Sequence, residues 1–307
     1  MSFEFLDNTE EIFYNNAVNY WSEIPATLDG MLGGFGYISQ TDIKGSKMLL
    51  KQLFNSKDPP GREYALDCGA GIGRISKFLL TEMFEKVDLV EQNAAFLEQA
   101  KKYLGPKIAK VPECYSVGLQ NFEPEPNKYD VIWIQWVIGH LTNKDLVKFL
   151  KSCSKGLKKN GVIILKENIT STDDIEKDDQ DSSVTRPMYL FHQLFQKTEL
   201  NCYRQSKQHN FPKGLFSVYM FVLKPIKDDV PDTTLSTEES PVKEESPPLV
   251  ELSKEAEKIT EPDKDVKNST EVQQLERDNE LEQTRNVETE AVTESEGQVY
   301  ILSFFRN

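Results

Sequence analysis

"LDCGAGIGR", residues 66–74, decides the fold. It joins "EYALDCG" (63–69), with the apolar composition of a buried strand, to "GRISKFLLTEMF" (73–84), which reads as a helix. Its glycines follow G-x-G-x-G at Gly69, Gly71 and Gly73. Glycine permits the tight turn and lets backbone approach a ligand closely. A strand, a glycine turn and a helix in that order open a βαβ unit.

The pattern continues outward. "KVDLVEQ" (86–92) is a strand, and "NAAFLEQAKKYLG" (93–105) is a helix stopped by Gly105 and Pro106. "CYSVGLQNF" (114–122) holds a third strand with its exit loop, and "YDVIWIQWV" (129–137) is the fourth strand. "NKDLVKFLKSCSKGL" (143–157) is an amphipathic helix opened by Asn143, and "GVIILKEN" (161–168) is the fifth strand. Alternating strands and helices predict an α/β fold with a parallel, Rossmann-like sheet. The end departs from this pattern. "ELNCYRQSKQ" (199–208) and "FSVYMFVLK" (216–224) flank a Pro/Gly loop, which predicts one antiparallel hairpin at the sheet edge. Residues 1–60 read as a helical N-terminal cap over the strand ends.

Charge divides the chain of 307 residues and net charge −14. Residues 1–226 hold 28 acidic and 27 basic side chains, whereas 227–297 hold 22 and 8 and no aromatic residue. Such a segment buries too little apolar area to offset chain entropy, so 227–307 is expected to be a disordered acidic tail. A transient helix is expected at 271–285, and "GQVYILSFFRN" (297–307) turns apolar again. The expected units are thus 1–60, 61–226 and 227–307.

Four scattered cysteines without a CxxC pair and three histidines argue against a metal site and for reduced thiols. The N-terminus lacks the basic and apolar regions of a secretory signal, and no apolar run reaches the length of a membrane span. A near-neutral folded part and an acidic tail predict no nucleic-acid partner.

Two carboxylates narrow the ligand of the glycine turn. Asp67 stands just before the glycines, where it could orient the loop or face a ligand's amino-acid end. Glu91 closes the second strand, where a carboxylate accepts both hydroxyls of a ribose. Both suit S-adenosylmethionine (SAM). Glu91 suits a nicotinamide dinucleotide nearly as well, but the antiparallel edge hairpin favours SAM over hydride transfer.

Four longer stretches carry a family resemblance. "WSEIPATLDGMLGGFGYIS" (21–39), "ALDCGAGIGRISK" (65–77), "YDVIWIQWVIGHLT" (129–142) and "DSSVTR" (181–186) together resemble the N-terminal Xaa-Pro-Lys protein N-methyltransferases, within the class I SAM-dependent fold. The resemblance covers about residues 10–224. It implies that Gly69, Arg74, Glu91, Leu119, Gln120 and Gln135 contact SAM, with Trp21 and Met31 closing over it. Asp67, Gly71, Gln92 and Asn93 join this cofactor set by position. On the peptide side it implies Trp136, His140, Asn168, Asp178, Asp181 and Ser183, flanked by Leu32 and Ile38. The chain departs from relatives in having Glu91 and Glu167 where aspartate is usual, and Phe216 where tyrosine is common.

Chemistry gives these residues work. An α-amino group has a pKa of about 7.7–8.0, so at neutral pH it must lose a proton before it attacks a methyl group. His140 titrates near neutrality and is the expected proton acceptor together with Asp181. Trp136 offers a flat wall for a proline ring, and Asp178 a partner for a Lys or Arg at the third position. "DGMLGG" (29–34) reads as a turn folding a lid over the site. The expected substrates are Xaa-Pro-Lys/Arg protein N-termini of basic nuclear or ribosomal proteins, in the nucleus and cytoplasm. Two rivals stand beside this reading: a small-molecule methyltransferase using SAM, and an inactive relative that only binds peptides.

Overall fold

The computed structural model describes residues 7–226. The tail, its 271–285 segment and the last residues lie outside the described residues. Three helices open the described chain: α1 (Asp7–Glu23), α2 (Leu28–Met31) and α3 (Ser39–Phe54). β1 (Tyr64–Cys68) leads into the glycine turn. After it, Ser76–Leu80 winds as a π-helix and passes into α4 (Thr81–Met83). The wider turn is stitched by the Thr81 hydroxyl, which donates to Ser76 O five residues back at 2.8 Å. β2 (Lys86–Val90) and α5 (Ala94–Leu104) follow.

β3 is only Cys114–Tyr115, shorter than the sequence pattern suggests. It pairs along one edge only, with β2, and its expected exit loop closes into a 3-10 turn at residues 119–121. β4 (Tyr129–Gln135) is wholly buried. α6 (Asn143–Gly156) is capped by Thr142, whose hydroxyl accepts from the Asp145 amide. β5 runs from Leu157 to Ile169, starting earlier than predicted because a bulge lets Leu157 pair with Tyr129. A small hairpin, β6 (Glu176–Lys177) with β7 (Val184–Thr185), precedes α7 (Met188–Gln196). β8 (Leu200–Lys207) and β9 (Ser217–Pro225) end the described chain.

The main sheet has the order β3-β2-β1-β4-β5-β9-β8. β9 pairs antiparallel with both neighbours, and the other pairings are parallel. The expected α/β sheet with one antiparallel edge hairpin is therefore present. Strand alternation feeds two cores. Ile132, Ile134, Ile163 and Leu165 pack with Leu146, Phe149, Leu150 and Phe191 of α6 and α7. Val131, Trp133, Val162 and Ile164 face Leu49, Leu50 and Leu53 of α3 and Leu97 of α5. A sheet covered on both faces exposes its working surface only at its ends. β1 lies between β2 and β4, so chain order reverses there and a crevice opens at the C-terminal ends of these strands.

Candidate active site

The cleft in that crevice is floored by backbone. Gly69 (φ +70°) and Gly71 (φ +54°) occupy left-handed conformations. A Cβ on Gly69 would sit 2.5 Å from Val137 Cγ2, and one on Gly71 2.7 Å from Met31 Sδ. Val137 leaves no room for a side chain at Gly69, and the left-handed backbone disfavours one at Gly71, which explains the glycines. Glu91 stands at the end of β2. Its Oε2 accepts from the Gly71 amide at 3.0 Å and its Oε1 from the Asn93 amide at 2.9 Å. Burial pushes this carboxyl up, against those amides. Trp21, Met31, Leu32, Arg74, Gln92, Leu119, Gln120, Gln135, Trp136 and His140 complete the wall with the two glycines and Glu91.

Two residues expected at the cofactor stand elsewhere. Asp67 is buried behind the turn, where its Oδ2 accepts from the Ser76 hydroxyl at 2.6 Å. Burial pushes its carboxyl up to about 6. Of the two roles open to it, its contacts fit orienting the loop. The Asn93 side chain caps α5 by accepting from the Ala95 amide at 2.9 Å, and its amide donates to Trp21 O at 3.2 Å. It therefore ties the cap to the sheet.

Behind Arg74 and Gln135 lies a charge cluster that sequence patterning does not reveal. Asp42 of α3 receives Arg74 Nη1 at 2.7 Å, Lys166 Nζ at 2.5 Å and Gln135 Nε2 at 2.9 Å. Lys166 also donates to Ser46 Oγ at 3.0 Å and to Gln208 Oε1 at 2.8 Å. Gln135 Oε1 accepts from Trp133 Nε1 at 3.0 Å. Asp42 and Lys166 are fully buried. Burial alone would raise the Asp42 carboxyl, but Lys166 and Arg74 hold it below the ordinary range. This cluster pins cap helix α3 to β4, β5 and the end of β8. Lone charged residues within apolar stretches, such as Lys166 in "VIILKEN", are its only signal in the sequence.

The other end of the cleft is built on two tight loops. Trp136 has φ +51°, a left-handed conformation that costs a non-glycine residue about 1–3 kcal/mol. Its guanidinium neighbour Arg74 lies 5.4 Å from the ring centroid. His140 ends the 3-10 turn Ile138–His140. Its Nε2 accepts from Trp21 Nε1 at 2.9 Å and lies 3.7 Å from Asp181 Oδ2. Burial pushes this imidazole below its ordinary value, with the Asp181 charge pulling the other way. Asp181 is 1% exposed; its Oδ1 accepts from the Ser183 amide at 2.8 Å, and its Oδ2 has no hydrogen-bond partner. Ser182 between them has φ +62°, and its hydroxyl accepts from Asn16 of α1 at 2.9 Å.

The remaining predicted residues flank this end without lining the cleft wall. Asn168 is buried on β5 opposite Val218, and Ser183 is buried beside Asp181. Asp178 is half-buried; its amide donates to Ser183 O, and burial raises its carboxyl together with Asp181 and Asp179. Ile38 packs with Leu32 beside Trp136, Phe211 and Leu215. Phe216 is buried in the last hairpin, near the Phe211 turn. Apolar wall residues such as Val117 and Phe96 were also missed, because a lone apolar side chain carries no sequence signal.

The donor end has what SAM would need: a cationic guanidinium for its carboxylate, a strand-end carboxylate for its ribose, and a floor close enough for backbone contact. Sheet order, glycine turn and this residue set define a Rossmann-like, SAM-dependent methyltransferase. Comparison with known proteins narrows the class. The family described as AdoMet dependent proline di-methyltransferase matches residues 9–224, and this chain belongs to it. The chain is similar to the Xenopus tropicalis N-terminal Xaa-Pro-Lys N-methyltransferase 1, with 48% identity over 73% of this chain and 100% of that protein. It is also similar to the Drosophila melanogaster alpha N-terminal protein methyltransferase 1, with 47% identity over 72% and 79% of the two chains. A solved Leishmania major SAM-dependent methyltransferase superposes with a TM-score of 0.65 at 37% identity, covering 69% of this chain and 83% of that one.

Proposed function

We propose that this enzyme transfers methyl groups from SAM to the α-amino nitrogen of proteins that begin Xaa-Pro-Lys or Xaa-Pro-Arg. The observation that carries the reading is Asp181 Oδ2: a buried carboxylate oxygen without a hydrogen bond, 3.7 Å from a buried imidazole nitrogen. An unpaired buried carboxylate oxygen is expensive unless a ligand completes it. A substrate ammonium group does so with its charge and its N–H donors.

SAM supplies an electrophilic methyl group on a sulfonium sulfur. Arg74, Glu91 and Gln135 would hold it over the glycine turn. The rest of the chemistry is proton handling and positioning. Asp181 Oδ2 anchors the ammonium. His140, kept neutral by burial, takes the proton at Nε2 and leaves the amine with a free lone pair. Trp21 donates to that same nitrogen, so its indole N–H yields as the proton arrives. Trp136 walls the proline ring, and Asp178 pairs with the basic third residue. Asn168 and Ser183 hold the peptide backbone, flanked by Leu32 and Ile38.

The substrates are basic proteins with exposed N-termini, histone-like or ribosomal, and the enzyme acts in the nucleus and cytoplasm. The cap (1–60) and the sheet domain (61–226) form the catalytic unit, so a chain cut after residue 226 keeps its turnover on a short peptide. The direct test is mass spectrometry of a synthetic Xaa-Pro-Lys peptide incubated with enzyme and SAM. Methyl groups on the first nitrogen are expected. A peptide methylated only at the lysine side chain, or left unchanged, overturns the proposal.

A further inference from the structure

We propose that Arg186 is a positioning residue for His140, acting through the backbone of the turn that carries the imidazole. Arg186 ends the "DSSVTR" segment and is 1% exposed. Its Nη1 donates to Ile138 O at 2.9 Å and its Nη2 to Leu141 O at 2.5 Å. Its Nε donates to Asn143 Oδ1 at 2.9 Å, at the first residue of α6. The two carbonyls bracket His140 in the chain. A guanidinium is a rigid planar fork, so the spacing of its donors fixes the spacing of those carbonyls.

The contact answers a local need. The 3-10 turn Ile138–His140 closes with the Leu141 amide donating to Ile138 O at 3.1 Å; Arg186 adds a second donor to that oxygen and supplies one to Leu141 O just past the turn. Ile138 and Leu141 are buried, so water does not satisfy them. From the opposite side the turn meets Glu167. Burial pushes this carboxyl up to about 7, while the Asn168 amide, Arg186 and the amides of Ile138 and Val137 pull it down. The turn is therefore held by a cation on its carbonyl side, with the Glu167 carboxyl near its amide side. Burial lowers Arg186 to about 10, which leaves it cationic at neutral pH.

The backbone of Arg186 also anchors the segment on which the other half of the proton-accepting pair stands. It bridges to Ile169 at the end of β5, and its carbonyl accepts from the Thr170 amide at 3.3 Å. Asp181 lies on the same short segment. The side chain thus holds the His140 turn, while the backbone of the same residue ties the segment that carries Asp181 to β5. Arg186 lines none of the cleft wall, so its effect is on geometry.

This inference rests on the methyl-transfer reading. The test compares wild type, Arg186→Lys and Arg186→Ala on an Xaa-Pro-Lys peptide, with SAM binding measured by calorimetry. Lysine reaches only one of the carbonyls, so kcat of R186K falls by ~10²-fold, the scale of a misplaced catalytic group, while SAM affinity is unchanged. Millimolar guanidinium chloride restores at least about tenfold of the lost R186A turnover, by refilling the fork's hydrogen bonds. Wild-type kcat in R186K, a parallel loss of SAM affinity, or a folded R186A that guanidinium leaves unchanged each overturns the inference. If R186A does not fold, R186K alone decides. A wild-type enzyme inert on the peptide instead counts against the methyl-transfer reading.

Discussion

Two buried polar clusters flank the cleft, and they are built on opposite rules. Around Asp42, both carboxylate oxygens are engaged by Lys166, Arg74 and Gln135, and Lys166 has further acceptors in Ser46 and Gln208. Around His140, Asp181 Oδ2 and Glu167 Oε2 are buried without a hydrogen bond. The closed cluster joins cap to sheet and keeps Arg74 and Gln135 in place. The open one sits where two left-handed residues, Trp136 and Ser182, bend the backbone. A satisfied network stabilises one arrangement, while an unsatisfied one retains a capacity to bind. The same residue types are therefore saturated at one end and left with open hydrogen-bonding capacity at the other, where the proposed chemistry falls.

The largest effect tests the open cluster. His140→Phe and Asp181→Asn each lower kcat by roughly 10²–10⁴, the usual worth of a positioned acid or base, and leave calorimetric SAM affinity intact. An Asp181→Asn enzyme with wild-type turnover at neutral pH removes Asp181 from its role.

The closed cluster answers to a different measurement. Asp42→Asn strands two buried cations and lowers unfolding free energy by about 3–5 kcal/mol in urea titration, with weaker SAM binding because Arg74 loses its anchor. A variant that unfolds at the wild-type midpoint erases the contrast between the clusters.

Glu167 sharpens the contrast through pH. Its folded-state pKa, raised to about 7 from an ordinary 4.5, means that the folded form holds the proton more tightly. Its contribution is full below the ordinary value and is lost as pH rises through 7. Over pH 5 to 8 this removes about 3 kcal/mol from wild type relative to Glu167→Gln. Parallel stability curves for the two proteins refute the assignment.

The smallest effect concerns Trp21. Its N–H stabilises unprotonated Nε2 of His140, so Trp21→Phe raises that pKa. The acid limb of the kcat profile then moves to higher pH by less than ~1 unit, the worth of one neutral hydrogen bond. A limb that stays put, or moves down, shows the contact to be incidental.

Short-range rules made much of this legible. Alternating apolar strands, the G-x-G-x-G turn and the Gly105–Pro106 stop are local signals, and the elements they predict appear within a few residues of their places. Glu91 was readable because a strand-end position is a local property. The sequence leaves two roles open for Asp67, since residue spacing does not tell which side of a turn a carboxylate faces. β3 came out short because its length depends on what lies beside it.

The sequence by itself determined the sheet, the glycine turn and the identity of the residues gathered at the strand ends, because period and turn chemistry act over a few residues. Only the tertiary structure decided which charges meet. Asp42 and Lys166 are 124 residues apart, Trp21 and His140 119, and Asn16 and Ser182 166. Such pairs have no periodicity; they are set when the cap closes on the sheet and each buried group must find a partner or be left to await one.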